Sequence, residues 1–411
     1  MEGTKDVIII GGSLSGLMHA IVLKSLGHNV RILERSSPEL LRSQAAGLGT
    51  GGELQQLIDE YVKPESPYCT TLGAIEWINK DGEIVGQFGP SRPFYLSTWS
   101  IVYRLCKSAL LQPAPGSSAK PAIYETGQLV KSVHPSGSKI NVEYLDTVSQ
   151  QHHALEADLV IAADGGNSTI RRSLHPEVAP QYSGYVTWRG AVTESEVSEA
   201  TRKVLHGRTI MTRMEAGYIM SYYVPAENGS LSPGDCQYIW VWYQMLPEGE
   251  EFNSNLTDAD SRQHTTTIPR GRMREEIWAK MRARGRKHLS SPFVDLLEHT
   301  HDPFLSAIRD CKSPKAVFHD GKLLLVGDAF SLFRPHAGAA TSQAARQALS
   351  LVKVLKGDMS LEAWETEAID HAQRIHAFTN AMGSYCFTGV VPPILAALLP
   401  TANEAMEQTK D

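Results

Sequence analysis

Hydrophobic positions at the start of the chain are consecutive rather than alternating. Asp6-Val7-Ile8-Ile9-Ile10 is a short apolar run, the pattern of a parallel strand covered on both faces. Gly11 to Gly16 follow, then a helical stretch from Leu17 to Leu26 with Gly27 placed as its C′ residue. Asn29 to Leu33 reads as a second strand and ends on Glu34. Ser36 to Arg42 is polar and turn-like, and helical spacing resumes at Leu54, Leu57, Ile58 and Tyr61. A hairpin is expected from Ala74–Ile78 and Glu83–Val85 around Asp81-Gly82, and a second from Leu129–His134 and Lys139–Leu145. Ser97–Leu111 is an amphipathic helix and Ile123-Tyr124 a short strand. Ala157–Ala163 and Leu323–Val326 repeat the buried-strand pattern and should join the first sheet.

From Gln181 to about Pro314 the pattern changes to alternation rich in Tyr and Trp: Tyr185–Trp188, Tyr218–Val224 and Tyr238–Tyr243. These read as strands of an antiparallel sheet, mostly core, with some rings free to line an aromatic pocket. Asn253–Thr267 reads as a polar loop and Met273–Lys287 as a basic helix. Helices are expected again at Ser342–Leu355 and Leu361–Met382, and Gly389–Leu399 as a packed segment or a cover over a pocket. The class is α/β: a Rossmann-like first domain with hairpin insertions (1–180), an inserted antiparallel-sheet domain for the substrate (181–314), and a return to the first domain with C-terminal helices (315–411).

Composition changes this picture little. The 411 residues carry a net charge of −6 with both signs mixed, which argues against nucleic acid as a partner. The five cysteines are scattered without a CxxC pair, which fits reduced thiols in the cytoplasm and argues against a disulfide framework or zinc site. The N-terminus runs almost directly into a strand, leaving no space for a signal peptide, and Gly389–Leu399 is too short and proline-broken for a membrane span.

The chemistry lies at strand ends. Strand, glycine-rich turn, helix, strand and terminal acid make a dinucleotide-binding βαβ unit. Gly11 allows the tight turn, Gly16 allows close helix–strand packing, and the helix N-terminus offers free N–H groups to a pyrophosphate. Ser13 stands where the middle glycine is usual. Glu34 lies about 20 residues on, where a carboxylate accepts bonds from ribose hydroxyls. Asp164-Gly165 and Gly327-Asp328 end two further strands of the same sheet, so all three turns should face one crevice. Ala45–Gly52 is the densest glycine cluster and suits a loop lying flat against a ring system.

These motifs resemble the class A flavin-dependent aromatic hydroxylases of the para-hydroxybenzoate hydroxylase fold. The three fingerprints stand as Gly11–Gly16, Ala163-Asp164-Gly165, and Gly327-Asp328-Ala329 with Pro335. Gly11-Gly12-Ser13, Gly47–Gly51, Tyr182–Gly190 and Arg334–Ala337 are similar to the 2,6-dihydroxypyridine 3-hydroxylase branch. The resemblance implies an FAD- and O₂-dependent monooxygenase that uses NADPH or NADH and hydroxylates a small electron-rich aromatic through a flavin C4a-hydroperoxide. It leaves room for a homodimer. It implies that Gly11, Gly12, Ser13, Ser15 and Gly16 hold the FAD diphosphate, with Glu34 and its neighbour Arg35 on the ribose. Arg104 would approach the phosphates and Val130 the adenine. Asp164 and Gly165 would serve FAD and the nicotinamide nucleotide. Gly327 and Asp328 would bind ribityl, and Gly47, Leu48, Pro335, Gly338, Ala339 and Ala340 would lie near the isoalloxazine. Two positions depart: Gln347 replaces an acid late in the Gly338 helix, and the histidine after Gly327-Asp328-Ala329 is replaced by Ser331 or shifted to His336. A base is needed to form the reactive phenolate. Candidates are Tyr222, Tyr243, His264 and, foremost, His336. An epoxidase or oxidative-rearrangement enzyme acting on an alkaloid or terpenoid would carry the same fingerprints. Trp240-Val241-Trp242-Tyr243 lacks the halogenase sequence, and a silent flavin-fold module would not need intact Asp164 and Asp328.

Overall fold

The computed structural model describes residues 3–37, 46–89, 94–112 and 121–396; most of the Ser36–Arg42 turn and the end of the Gly389–Leu399 segment lie outside them. Strand β1 (Asp6–Ile10), helix α1 (Leu14–Ser25) and strand β2 (Asn29–Glu34) form the expected parallel unit. The short strands β3 (Gly47–Gly49), β4 (Thr70–Leu72) and β7 (Phe94–Thr98) make a small sheet ordered β3-β7-β4, with the hairpin β5 (Ile75–Ile78) and β6 (Ile84–Phe88) between them in sequence. Helix α2 (Trp99–Leu111) starts where Thr98 accepts the Ile101 N–H. Strands β8 (Ile123–Thr126), β9 (Gln128–Ser136), β10 (Lys139–Asp146), β11 (His152–Ala157) and β12 (Leu159–Ala162) follow.

The aromatic region supplies β13 (Gln181–Thr193), β14 (Thr209–Met214), β15 (Gly217–Val224), β16 (Gln237–Met245), β17 (Thr267–Ile268) and β18 (Phe304–Lys312). The chain closes with β19 (Val317–Phe318), β20 (Leu323–Leu325), β21 (Ser331–Leu332), and the long helices α3 (Ala340–Lys356) and α4 (Leu361–Thr388). The first sheet is ordered β19-β20-β12-β1-β2-β8, parallel except for β19–β20. The second is ordered β17-β18-β13-β16-β15-β14-β5-β6, with β21 beside β18.

Three differences from the sequence pattern have local causes. The Ala74–Val85 hairpin belongs to the second sheet, because β5 pairs in parallel with β14. The polar stretch after Asn253 opens in a helix, Glu250–Asn255, and then folds on the Asp258 carboxylate, which accepts the Asp260 and Arg262 N–H groups. Helix α4 runs on past Met382 to Thr388, where Gly389 at φ 78° caps it in the left-handed region.

Each sheet has its own core. One gathers β1, β2, β12, β20 and the faces of α1, α2 and α3; the other gathers the Trp and Tyr strands, with Trp188, Trp240 and Trp242 fully buried. No described helix is long and apolar enough to cross a membrane.

Candidate functional site

The glycine turn after β1 is built without spare room. A Cβ on Gly16 would sit 1.9 Å from the Gly11 carbonyl oxygen, and one on Gly11, at φ 101°, would sit 2.4 Å from the Ala163 oxygen. Only glycine lets α1 approach β1 and β12 this closely. Helix α1 has no side-chain cap and no acid in its first turn, so its N-terminal N–H groups remain available to an anion. Ser13 turns its hydroxyl away to accept the Trp99 indole N–H at 3.3 Å. Glu34 is buried at the end of β2; its two oxygens accept the Gly12 and Ser36 N–H groups, each at 2.7 Å. A carboxylate has about four acceptor sites, so two stay open to ribose hydroxyls. Arg35 is exposed.

The other two strand ends stand beside this turn. Asp164 accepts the Ser168 hydroxyl at 2.5 Å and the Thr169 N–H at 2.7 Å, so its carboxylate caps the helix Thr169–Leu174. Arg171, missed in the sequence, is fully buried and donates to the carbonyls of Gly166, Asp328 and Ala329. It ties the Asp164 turn to the Asp328 turn. The Asp328 carboxylate accepts no hydrogen bond from the described residues, and burial lifts its carboxyl to about 6 against the opposing charge of Arg171. Ser15 Oγ is buried without a partner and lies against Gly327. An unpartnered carboxyl and an unpartnered hydroxyl on one wall fit a polyhydroxylated, phosphorylated group such as FAD. Gln347 does the work expected of an acid: its Oε1 accepts the Gly327 N–H at 2.7 Å. Gln343 donates to the Gly327 and Ser331 carbonyls.

The loop after β21 meets both the glycine cluster and the aromatic sheet. Pro335–Ala337 is one 3₁₀ turn and Gly338 follows at φ 58°. Thr341 donates to the Gly49 carbonyl at 2.7 Å, and a Cβ on Gly51 would lie 2.1 Å from Ser342 Oγ. Gly47 lies flush against the Tyr222 ring and Leu48 pairs with Ser97. Ala339 precedes α3 and Ala340 opens it.

His336 points from this loop into the aromatic sheet. Nε2 shares a hydrogen bond with the Tyr185 hydroxyl at 2.7 Å, and Nδ1 with the Tyr218 hydroxyl at 2.6 Å. Tyr243 stacks on its ring, centroids 5.0 Å apart, and Tyr218 stacks on Tyr243 at 4.3 Å. Gly383 of α4 leaves space for the imidazole, since a Cβ there would come within 2.6 Å of Nε2. Burial, helped by the Arg334 charge, pushes the His336 pKa down to about 3, so the ring is neutral. Burial raises Tyr185 and Tyr218 well above their usual value and Tyr243 to about 12.

Of the four candidate bases, His336 and Tyr243 are therefore in contact. Tyr222 lies on the same sheet face against Gly47. His264 is held apart by Asp258 at 2.7 Å in the loop that follows the helix Glu250–Asn255. Arg104 is exposed and donates to the Glu227 carbonyl. Val130 lies on β9, which packs beside β2. Ser331, at the motif position of the missing histidine, bonds instead to His376 Nε2 of α4 at 3.0 Å. Tyr185 and Tyr218 were not singled out by the sequence. Their signal was parity: Tyr185 shares its face with Thr187, which pairs with Tyr243, and Tyr243 pairs with Tyr218.

Residues 4–52 match a family described as FAD binding domain, and residues 182–310 one described as FAD binding domain-like. The chain is 27% identical to the 2,6-dihydroxypyridine 3-monooxygenase of Paenarthrobacter nicotinovorans, over 92% of this chain and 90% of that protein. It is 20% identical to the 6-hydroxynicotinate 3-monooxygenase of Pseudomonas fluorescens, over 94% and 95%. The chain is an FAD-dependent monooxygenase. It has the fold of such enzymes throughout. The solved 2,6-dihydroxypyridine-3-hydroxylase from Arthrobacter nicotinovorans superposes with a TM-score of 0.84 at 24% identity, covering 98% of both chains. A salicylate hydroxylase substrate complex superposes at 0.68 and 21% identity, covering 99% of this chain and 96% of that one.

Proposed function

We propose that this monooxygenase hydroxylates an electron-rich aromatic ring of the phenol, hydroxybenzoate or hydroxypyridine type, with NADPH or NADH as reductant and O₂ as oxidant. The observation that supports this most is the position of His336: its backbone belongs to the loop packed on Gly49, and its ring is held by hydroxyls of the aromatic sheet. The names of the relatives, a dihydroxypyridine and a hydroxynicotinate monooxygenase, agree with such a substrate.

FAD, when bound, supplies the redox and oxygen-activating chemistry. The chain's own residues do the rest. The Gly11–Gly16 turn and the α1 N-terminus receive the diphosphate, Glu34 the ribose, and Asp328 and Ser15 the hydroxylated chain between phosphate and ring. Pro335 to Ala340 and Gly47–Gly49, packed together through Gly338 and Gly49, would border the flavin ring. A neutral His336 with both nitrogens bonded does not store a second proton. It accepts at one nitrogen and donates at the other, so the tyrosine that donates to it keeps an oxygen lone pair for a substrate hydroxyl, and the tyrosine that accepts from it keeps its own O–H for a substrate oxygen. The buried aromatic face keeps water from the reacting ring. Nicotinamide nucleotide binds transiently, since the chain has one dinucleotide turn and that serves FAD. Five free thiols, four of them buried, suit a reducing cytoplasm.

The deciding experiment is NAD(P)H oxidation by the FAD-loaded protein against hydroxypyridines, hydroxybenzoates, other phenols and indoles, with peroxide assayed in parallel. Stimulation by a phenol or hydroxypyridine with little peroxide supports the hydroxylase. Stimulation by indoles or alkenes alone replaces it with the epoxidase reading.

A further inference from the structure

The Tyr185–Tyr218 face of the second sheet carries two arginines that make no ion pair with the described residues: Arg213 of β14, whose guanidinium donates to the Tyr385 and Cys386 carbonyls of α4, and Arg189 of β13, which has no such backbone acceptors. Alternation along β13 puts Arg189 on the same face as Tyr185 and Thr187, paired across to Val241 of β16 and Phe304 of β18. Its Nε donates to the Thr187 hydroxyl at 3.1 Å, and its guanidinium lies 6.0 Å from the Phe304 ring centroid. It makes no ion pair with the described residues. It is half-buried, and its other neighbours on this face are Val241, Tyr243, Met220 and Tyr222. The acid further along β18, Asp310, is already bound to Arg334. The Arg189 charge is felt by the surrounding phenols, where it opposes the burial that raises Tyr222 and Tyr243.

A guanidinium kept partly out of water among aromatic rings, without a counter-ion, is costly. A ligand anion removes that cost. Its planar fork of donors matches a pair of oxygens on a flat molecule, and the tyrosines and Phe304 match the ring that carries them. Tyr222 touches Gly47, so this face borders the glycine loop, whose Gly49 packs on Gly338.

We propose that Arg189 binds the anionic group of the substrate, a carboxylate or a ring oxyanion, and so restricts the enzyme to singly charged flat aromatics. The location of the pocket rests on the hydroxylase reading above; the charge preference does not.

The test titrates the FAD-loaded protein with benzoate and benzamide, and with 4-nitrophenolate and 4-nitroanisole, following the flavin absorbance. Wild type should prefer the anion in at least one pair. Preference within the benzoate pair alone names a carboxylate, and within the nitrophenolate pair alone a ring oxyanion. R189Q should weaken the preferred anion by about 30-fold or more while leaving its neutral partner near wild type. R189K, which keeps charge but not the fork, should fall between. FAD content and melting temperature confirm that both variants fold. Equal affinity for anion and neutral partner in wild type overturns the proposal, as does a loss in R189Q that is absent or equal for both. Failure of all four compounds to perturb the flavin overturns it too. The hydroxylase reading is judged separately: turnover stimulated by neutral phenols alone keeps that reading and removes this one, and Arg189-dependent benzoate binding without stimulated turnover does the reverse.

Discussion

His336 has two hydrogen bonds and no room for a third, so it sets which way the Tyr185 and Tyr218 hydroxyls point. Replacing it with alanine breaks the chain between Tyr185 and Tyr218 but touches none of the residues assigned to the diphosphate or ribose. His336→Ala is therefore expected to slow hydroxylation by about 10²-fold, the weight of misplacing the groups that orient a substrate, with FAD affinity little changed. Product formed per NAD(P)H, measured beside FAD retention, checks this; a wild-type yield would refute it. Tyr218→Phe should give the same phenotype in milder form, because Tyr185 still bonds Nε2. At this scale the sequence showed what chemistry was present and hid the partners. His336 stood out because its loop follows a recognisable motif. Tyr185 and Tyr218 looked like any tyrosine on a strand, and only the register across β13, β16 and β15 brings them to one imidazole. Asp164 has a job the motif does not announce: its oxygens cap its own helix.

Elements are held in place by backbone groups as much as by side chains. Gln347 of α3 takes the Gly327 N–H in a site where no water reaches, and this fixes the turn carrying Asp328. Gln347→Leu leaves that N–H without an acceptor, which costs roughly 1–3 kcal/mol. The expected result is a lower urea midpoint and poorer FAD retention, with Gln347→Glu keeping the acceptor and most of the stability. No change in either measurement for the leucine variant would show that the turn is held elsewhere. Gly16→Ala is a harsher case. Its Cβ would strike the Gly11 carbonyl oxygen at 1.9 Å, and backbone on both sides cannot yield. This variant is expected to yield no FAD-containing protein, and recovery of a yellow, folded Gly16→Ala would refute that packing argument. The apolar runs and helical spacings were legible because they are local. The placement of β5 and β6 was not, because parallel pairing with β14 is settled by residues far along the chain.

At the scale of the whole molecule, acid is the condition this structure tolerates least. His19 and His336 are buried as neutral rings, with pKa values brought down by burial to about 4 and about 3. His371 and His376 are shifted the same way. Between those values and 6.5 the unfolded chain binds protons that the folded protein refuses, so stability falls as pH drops below about 6.5. From pH 7 to pH 5, His19 and His336 each contribute a loss of up to about 2 kcal/mol. Asp328 acts in the opposite sense. Its carboxyl titrates near 6 when folded and lower when unfolded, so the folded state binds the extra proton and gains up to about 1.4 kcal/mol over the same range. The balance is a net loss of about 2–3 kcal/mol for the FAD-free protein, seen as a lower urea midpoint at pH 5 than at pH 7. His19 offers the cleanest control, since it sits inside α1 with Nδ1 on the Ser15 carbonyl and is remote from the aromatic sheet. His19→Gln should flatten the pH dependence by about its own share. Bound FAD should steepen the dependence, because ribityl hydroxyls that donate to Asp328 favour its ionised form and remove the gain at low pH. An FAD-free protein as stable at pH 5 as at pH 7, or a His19→Gln variant with the full wild-type slope, would show that these rings titrate normally and are not the groups that set acid stability.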